Sequence, residues 1–280
     1  MAASLAAPPS DAGRLAGEVV RLGRSIGSSR IAGLGLAADA RAYLRQGNPS
    51  RAGRQLSAAR QTLLTGGSRN EMPEVDFVEA GIRLDRGSWG RVAGPAGQGA
   101  DGARASGWVL YDSMGPMLVG RALLGAGRPG EAAAELERAV TSATAAGATG
   151  TATLAGAALE QARVLAGHPR TSPPTAPPPD EVEAQAIRSE TGGLAALAAG
   201  QAEAAAAAFA RAVDLWRQLG LTVWLARALS LQATATRHSA DRPTADRLLT
   251  QADNALNRLR VPASARPTVL SPLDEQHGRP

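Results

Sequence analysis

One spacing returns four times in this chain and limits what it can fold into. In MLVGRALLGAGRPGEAAAELERA, residues 117–139, a very small residue at Gly120 is followed by Ala132, Leu136 and Ala139. Gly193, Ala205, Phe209 and Ala212 keep the same intervals, as do Ala40, Ala52, Leu56 and Ala59, and Ala233, Ala245, Leu249 and Ala252. Four returns of one pattern predict stacked helical hairpins. The first small residue lies where one helix crosses the next, and the Ala132-type residue faces it from the second helix. Small groups on both sides bring the axes towards the lower end of the usual 8–10 Å range. Leu136 or Phe209, one turn further on, supplies apolar bulk on the same face. Gly127, Gly200 and Gly47 stand where the first helix needs a left-handed cap. Pro129 and Pro49 follow where a new helix begins and a missing N–H costs nothing. The fourth copy has Ala240 at the cap position but keeps Asp241 and Pro243 as a start signal.

The small residues Ala40, Gly120, Gly193 and Ala233 are 80, 73 and 40 residues apart. Each long gap fits one further hairpin, which predicts about six units within residues 11–261. Apolar periodicity places helices from Asp11, over Ile31–Gln46, Ser50–Thr65 and Glu71–Arg86, then over Trp108–Leu124 and the hairpin after it. Further helices follow over Thr151–Ala166, from an Asp180 cap to Ala199, and over Gln201–Leu219, Leu221–His238 and Asp241–Arg260. Gly87–Gly107, rich in Gly and Ala, reads as a degenerate unit with a short helix and a loose loop. Residues 1–10 read as disordered and 262–280 as a flexible tail. The Pro-rich stretch over 168–180 reads as an extended, lengthened turn, with a segment for a Pro-binding module as the other reading.

The chain has 280 residues, 44% of them hydrophobic but only 3% aromatic. Its apolar residues are mostly Ala, Leu and Val, which suits close helix packing. The net charge is +5, and every basic residue other than His is Arg, since Lys is absent. That bias reads first as the product of a G+C-rich genome and second as a nucleic-acid surface; no direct nucleic-acid binding is expected. Without Lys there is no phosphate-loop lysine, Schiff base or Lys general base. Without Cys there are no disulfides, thiolate metal sites or Cys nucleophiles. The first residues make a poor signal peptide and no run is a membrane span, so a cytoplasmic chain away from the membrane is expected.

Few residues suggest chemistry. G-x-G-x-x-G occurs at Gly97–Gly102 and Gly125–Gly130, but the first has no strand before it. The second lies inside the helical repeat, with no acidic residue about twenty positions on for a ribose. His168, His238 and His277 are isolated, so no metal, cofactor or triad is expected. Trp216 and Trp224 bracket a turn and read as core. Arg41 and Arg121 each follow the small crossing residue on a first helix. Arg45 extends that face, and Arg227 and Arg237 lie on a late first helix. They are the candidate lining of a groove for a protein or peptide partner with acidic groups; the plainer reading is a scatter of surface arginines.

These spacings resemble tetratricopeptide (TPR)-type repeats in degenerate form, which implies an all-α, TPR-like α-solenoid. More narrowly, GRALLGAGRPGEAAAELERAV followed by GAALEQARVLAG, and AFARAVDLWRQLGLTVWLARALSLQA, resemble the helical sensor region of large LuxR-type ATP-binding regulators from actinobacteria. RPTVLSPLDEQ is similar to the segment that opens the DNA-binding domain there. The chain departs from that family in lacking a phosphate-binding loop and a helix-turn-helix. The resemblance implies a detached, non-catalytic module for protein interaction or regulatory sensing. The alternative is a helical region that works with a protease-like or nucleotide-hydrolysing effector on another chain.

Overall fold

The computed structural model describes residues 9–168, 181–239, 241–261, 263 and 266. Among them are twelve α-helices and no strand. They are α1 (Pro9–Ser25), α2 (Ser29–Arg45), α3 (Pro49–Thr65), α4 (Met72–Asp85), α5 (Ala93–Ala105) and α6 (Met114–Gly125). Then come α7 (Pro129–Ala145), α8 (Thr149–Leu165), α9 (Val182–Ala198), α10 (Ala202–Leu219), α11 (Thr222–His238) and α12 (Arg242–Arg258). Each packs against its sequence neighbours.

One turn recurs between most of the helices. A glycine with positive φ ends it at 27, 47, 67, 87, 107, 127, 147 and 167, and again at 200 and 220. The period is therefore one helix in 20 residues and one hairpin in 40, longer than the 34 of a TPR unit. At the α2 end, Gly47 N donates to Leu44 O and Asn48 N to Tyr43 O, both at 2.8 Å. These bonds use up carbonyls the helix leaves unpaired, and the left-handed residue reverses the chain. Asn48 then caps α3 by accepting from Arg51 N, and Asp241 caps α12 by accepting from Thr244 N.

The repeat register has direct atomic meaning. A Cβ on Gly120 would lie 2.6 Å from Leu136 Cγ, and one on Gly193 would lie 2.5 Å from Phe209 Cε1. Ala132 and Ala205 are fully buried. The Gly87–Gly107 stretch holds the short helix expected, 13 residues long, but in place of the loose loop it follows the common module. Trp89–Arg91 forms a 3₁₀ turn and α5 runs the full distance to the next cap. Its glycines are partly contacts, since a Cβ on Gly99 would come within 2.8 Å of the Phe77 ring. Short 3₁₀ turns also precede α4 and α6. Pro73, Pro95 and Pro116 stand in the first turns of α4 to α6, where proline restricts the residue before it and delays the helix. Asp11, expected as a cap, lies inside the first turn of α1, which starts at Pro9. Residues 1–8, the Pro-rich 169–180 with the Asp180 cap, and almost all of 262–280 lie outside the described residues.

Burial sorts the helices into two layers. α2, α4, α6, α8, α9 and α11 have no exposed residue along their middles, whereas α1, α3, α5, α7, α10 and α12 each keep an exposed face. Inner and outer helices alternate except between α8 and α9, which are successive and both inner. That break explains the odd 73-residue interval between Gly120 and Gly193, where the other two are multiples of 40. It also lets the inner layer meet itself: α4 touches α11, and the Trp89 and Trp224 rings lie 5.5 Å apart. The largest apolar cluster runs from Phe77 to Val261. No helix among the described residues is long and apolar enough to cross a membrane.

Candidate functional site

The inner layer carries the polar residues of interest. Arg41 and Arg45 lie one turn apart on α2, Asp85 ends α4, Arg121 lies on α6, and Glu183 is in the first turn of α9, where the helix dipole favours an acid. Arg121 Nη2 lies 2.6 Å from Glu183 Oε1, and Arg41 Nε lies 3.9 Å from Asp85 Oδ2. Arg45 Nε donates to Leu219 O at 2.5 Å, tying α2 to the end of α10.

A second knot is centred on Glu190, which is fully buried. Its carboxylate accepts from Trp216 Nε1 at 2.7 Å and Gln161 Nε2 at 2.9 Å, and pairs with Arg227 Nη1 at 3.2 Å. One carboxylate on α9 thus ties α8, α10 and α11 together. The Trp224 ring joins the two knots: Arg121 stands over it at 5.2 Å and Arg227 at 5.8 Å, and Trp216 stacks on it at 5.9 Å.

Burial and charge set the protonation of the acids. Burial pushes the Asp85 carboxyl up; Arg41 opposes this and Glu183 adds to it. Burial also acts to raise Glu183, but Arg121, Arg41 and Arg45 together outweigh it and hold that carboxyl below its ordinary value. Burial and the neighbouring Arg41 lower Arg45. Among the described residues neither oxygen of Asp85 accepts a hydrogen bond. Between the knots, Arg121, Gln161, Trp216, Trp224 and Arg227 help line a cavity of about 10 Å³, room for about one water.

The structure thus brings four of the five candidate arginines into this core. Arg45, Arg121 and Arg227 are buried and Arg41 is 22% exposed. They do not line an open groove, because carboxylates of the same chain and Trp224 fill the inner face. Arg237 lies apart, exposed at 52%, and pairs with Asp246 at 2.8 Å. Sequence reading passed over Asp85, Glu183, Glu190, Gln161 and Trp89. The signal was available: arginines on helices without a polar face require acids, and these three acids lie on such helices.

Trp216 and Trp224 are core, as expected. Gly97–Gly102 lies within α5, and Gly125–Gly130 spans the α6–α7 turn. His168 and His238 are exposed at helix ends, and His277 lies outside the described residues. Among the described residues no group of three or more His, Asp or Glu is placed to hold a metal ion. Compared with known proteins, the chain matches no family model and no curated protein.

Proposed function

We propose that this chain is a non-catalytic helical-repeat module of the cytoplasm, a TPR-like α-solenoid that binds a protein partner in regulatory sensing. The observation that carries this reading is the 20-residue repeat itself, ten left-handed glycines long. Stacked repeats of this kind present extended surfaces for recognition. The resemblance to the sensor region of large LuxR-type regulators supports the same reading. A partner segment with acidic groups meets the arginine cluster at its rim, where Arg41 is the member open to solvent. The buried members hold the scaffold that presents it. Binding from native lysate tests this, comparing wild type with Arg41→Ala at low and moderate salt. Loss of a captured protein with Arg41→Ala, with thermal stability within a few degrees of wild type, is the expected result. Identical capture by both proteins would remove Arg41 from the interface.

A further inference from the structure

Repeat stacks need polar outer faces on their terminal units to stay soluble and single. The two ends of this stack differ. On α12 the exposed positions are Arg242, Pro243, Asp246, Arg247, Thr250, Gln251, Asp253, Asn254, Asn257 and Arg258, a polar cap. On α1 they include Leu15, Val19 and Leu22, exposed at 36%, 41% and 55%, and Ile26, exposed at 59%, continues the row in the turn that follows. Ala12, Ala16 and Val20 of α1 are buried, and α1 packs on α2. The apolar face of α1 is therefore wider than α2 covers, and the uncovered part forms a second stripe beside the buried one.

The stripe has the intervals four, three, four of a coiled-coil seam. It is self-complementary when reversed: Leu15 falls opposite Ile26 and Val19 opposite Leu22. The charges favour the same orientation. The acids Asp11 and Glu18 lie in the first part of α1, and Arg21 and Arg24 in the second. Arg14 pairs with Glu18 at 2.8 Å, so Asp11 is left as the net charge of the first part against Arg21 and Arg24 in the second. Reversal brings acidic against basic halves, whereas parallel pairing sets like against like. Head-to-tail stacking is disfavoured by α12, whose exposed positions other than Pro243 are all polar.

We propose that two copies of this chain associate through α1, packed antiparallel about a two-fold axis that passes between Val19 and Leu22. The interface is isologous and closed, so it stops at a dimer. One helix pair gives a contact at the small end of specific interfaces, so the dimer dissociates on dilution.

Sedimentation velocity over a concentration series tests the dimer. Wild type is expected to shift from monomer to dimer as concentration rises. Leu22→Glu with Ile26→Glu places charges in the seam and should weaken association by about 100-fold or more. Both positions are more than half exposed in the monomer, so circular dichroism should be unchanged. The orientation is tested separately, since the chain has no cysteine of its own. A mixture of Val19→Cys and Leu22→Cys chains should form mixed disulfides in preference to either like pair. Wild type that stays monomeric throughout would overturn the proposal and leave the stripe to another protein or another part of the chain. A dimer indifferent to the two glutamates would overturn it equally, and like-with-like crosslinking would reject the antiparallel arrangement.

Discussion

Arg121 on α6 and Glu183 on α9 meet at 2.6 Å, joining parts of the chain on either side of the α8–α9 phase break. The side chain of Arg121 is 3% exposed and that of Glu183 22%. Removing one member strands the other's charge in the interior, while replacing both with neutral groups of similar volume does not. Arg121→Ala should therefore lower unfolding free energy by about 3 kcal/mol or more, and Arg121→Met with Glu183→Gln by much less. By contrast, Arg237→Ala, at the exposed pair with Asp246, should change stability by about 1 kcal/mol or less. Urea denaturation of the four proteins checks the ranking; an Arg121→Ala midpoint equal to that of Arg237→Ala would refute it.

Asp85 predicts a pH dependence with a definite sign. Its carboxyl is raised in the folded protein, by burial first. Between the unfolded value, about 4, and the higher folded value, the native state holds a proton that the unfolded chain has released. Stability from this group therefore falls as pH rises through that window. Glu183 acts oppositely, since its folded value is lowered and its contribution is lost as pH falls. Measuring wild type against Asp85→Asn isolates the first effect. The stability of wild type relative to the variant should decline from about pH 4 towards neutrality. A difference that rises with pH would show that the arginines, not burial, govern Asp85.

The hairpin register was legible in the sequence because it rests on size alone. Gly120 and Gly193 are small since Leu136 and Phe209 occupy the space a Cβ would need. Gly193→Val and Ala205→Leu should each destabilise by about 1–3 kcal/mol through overpacking. Chemical denaturation checks both, and unchanged midpoints at the two sites would reject the register. The layer assignment was less legible. Arg41 and Arg121 follow the crossing residue, which marks the inner layer, but whether that layer faces solvent depends on what closes it. The closure comes from α9, α11 and the end of α10, through contacts as distant in sequence as Arg45 with Leu219. No local pattern encodes such a pairing. The glycines of 87–107 misled for a related reason, because Gly99 answers to Phe77 on another helix and not to chain flexibility.

The turn glycine Gly127 and the uncrowded helix glycine Gly130 should respond in opposite directions. Gly127 has φ of 73°, a left-handed conformation in which a side chain brings backbone strain. Gly127→Ala should cost about 1 kcal/mol. Gly130 lies in the first turn of α7 with open space around it. Gly130→Ala should stabilise by about 0.4–1 kcal/mol, mainly by restricting the unfolded chain. Thermal unfolding of both variants decides the matter, and equal shifts of the same sign would contradict the left-handed turn.

The link between α8 and α9 sets the phase of the inner layer, which makes its length matter more than its composition. Elsewhere a short connection carries an inner helix to an outer one, or the reverse, with a left-handed glycine at each junction but that between α11 and α12. Replacing residues 169–179 by a Gly/Ser segment of equal length should change stability little, since loop-closure cost varies slowly with chain identity and length. Cutting the link to a three-residue turn should force α9 towards the outer layer. That change pulls Glu183 from Arg121 and Glu190 from Gln161, Trp216 and Arg227. The shortened protein should lose much of its cooperative unfolding transition and shift its tryptophan emission, because Trp216 and Trp224 leave the core. A shortened chain that unfolds like wild type, with unchanged emission, would show that α9 reaches the inner layer without the long link.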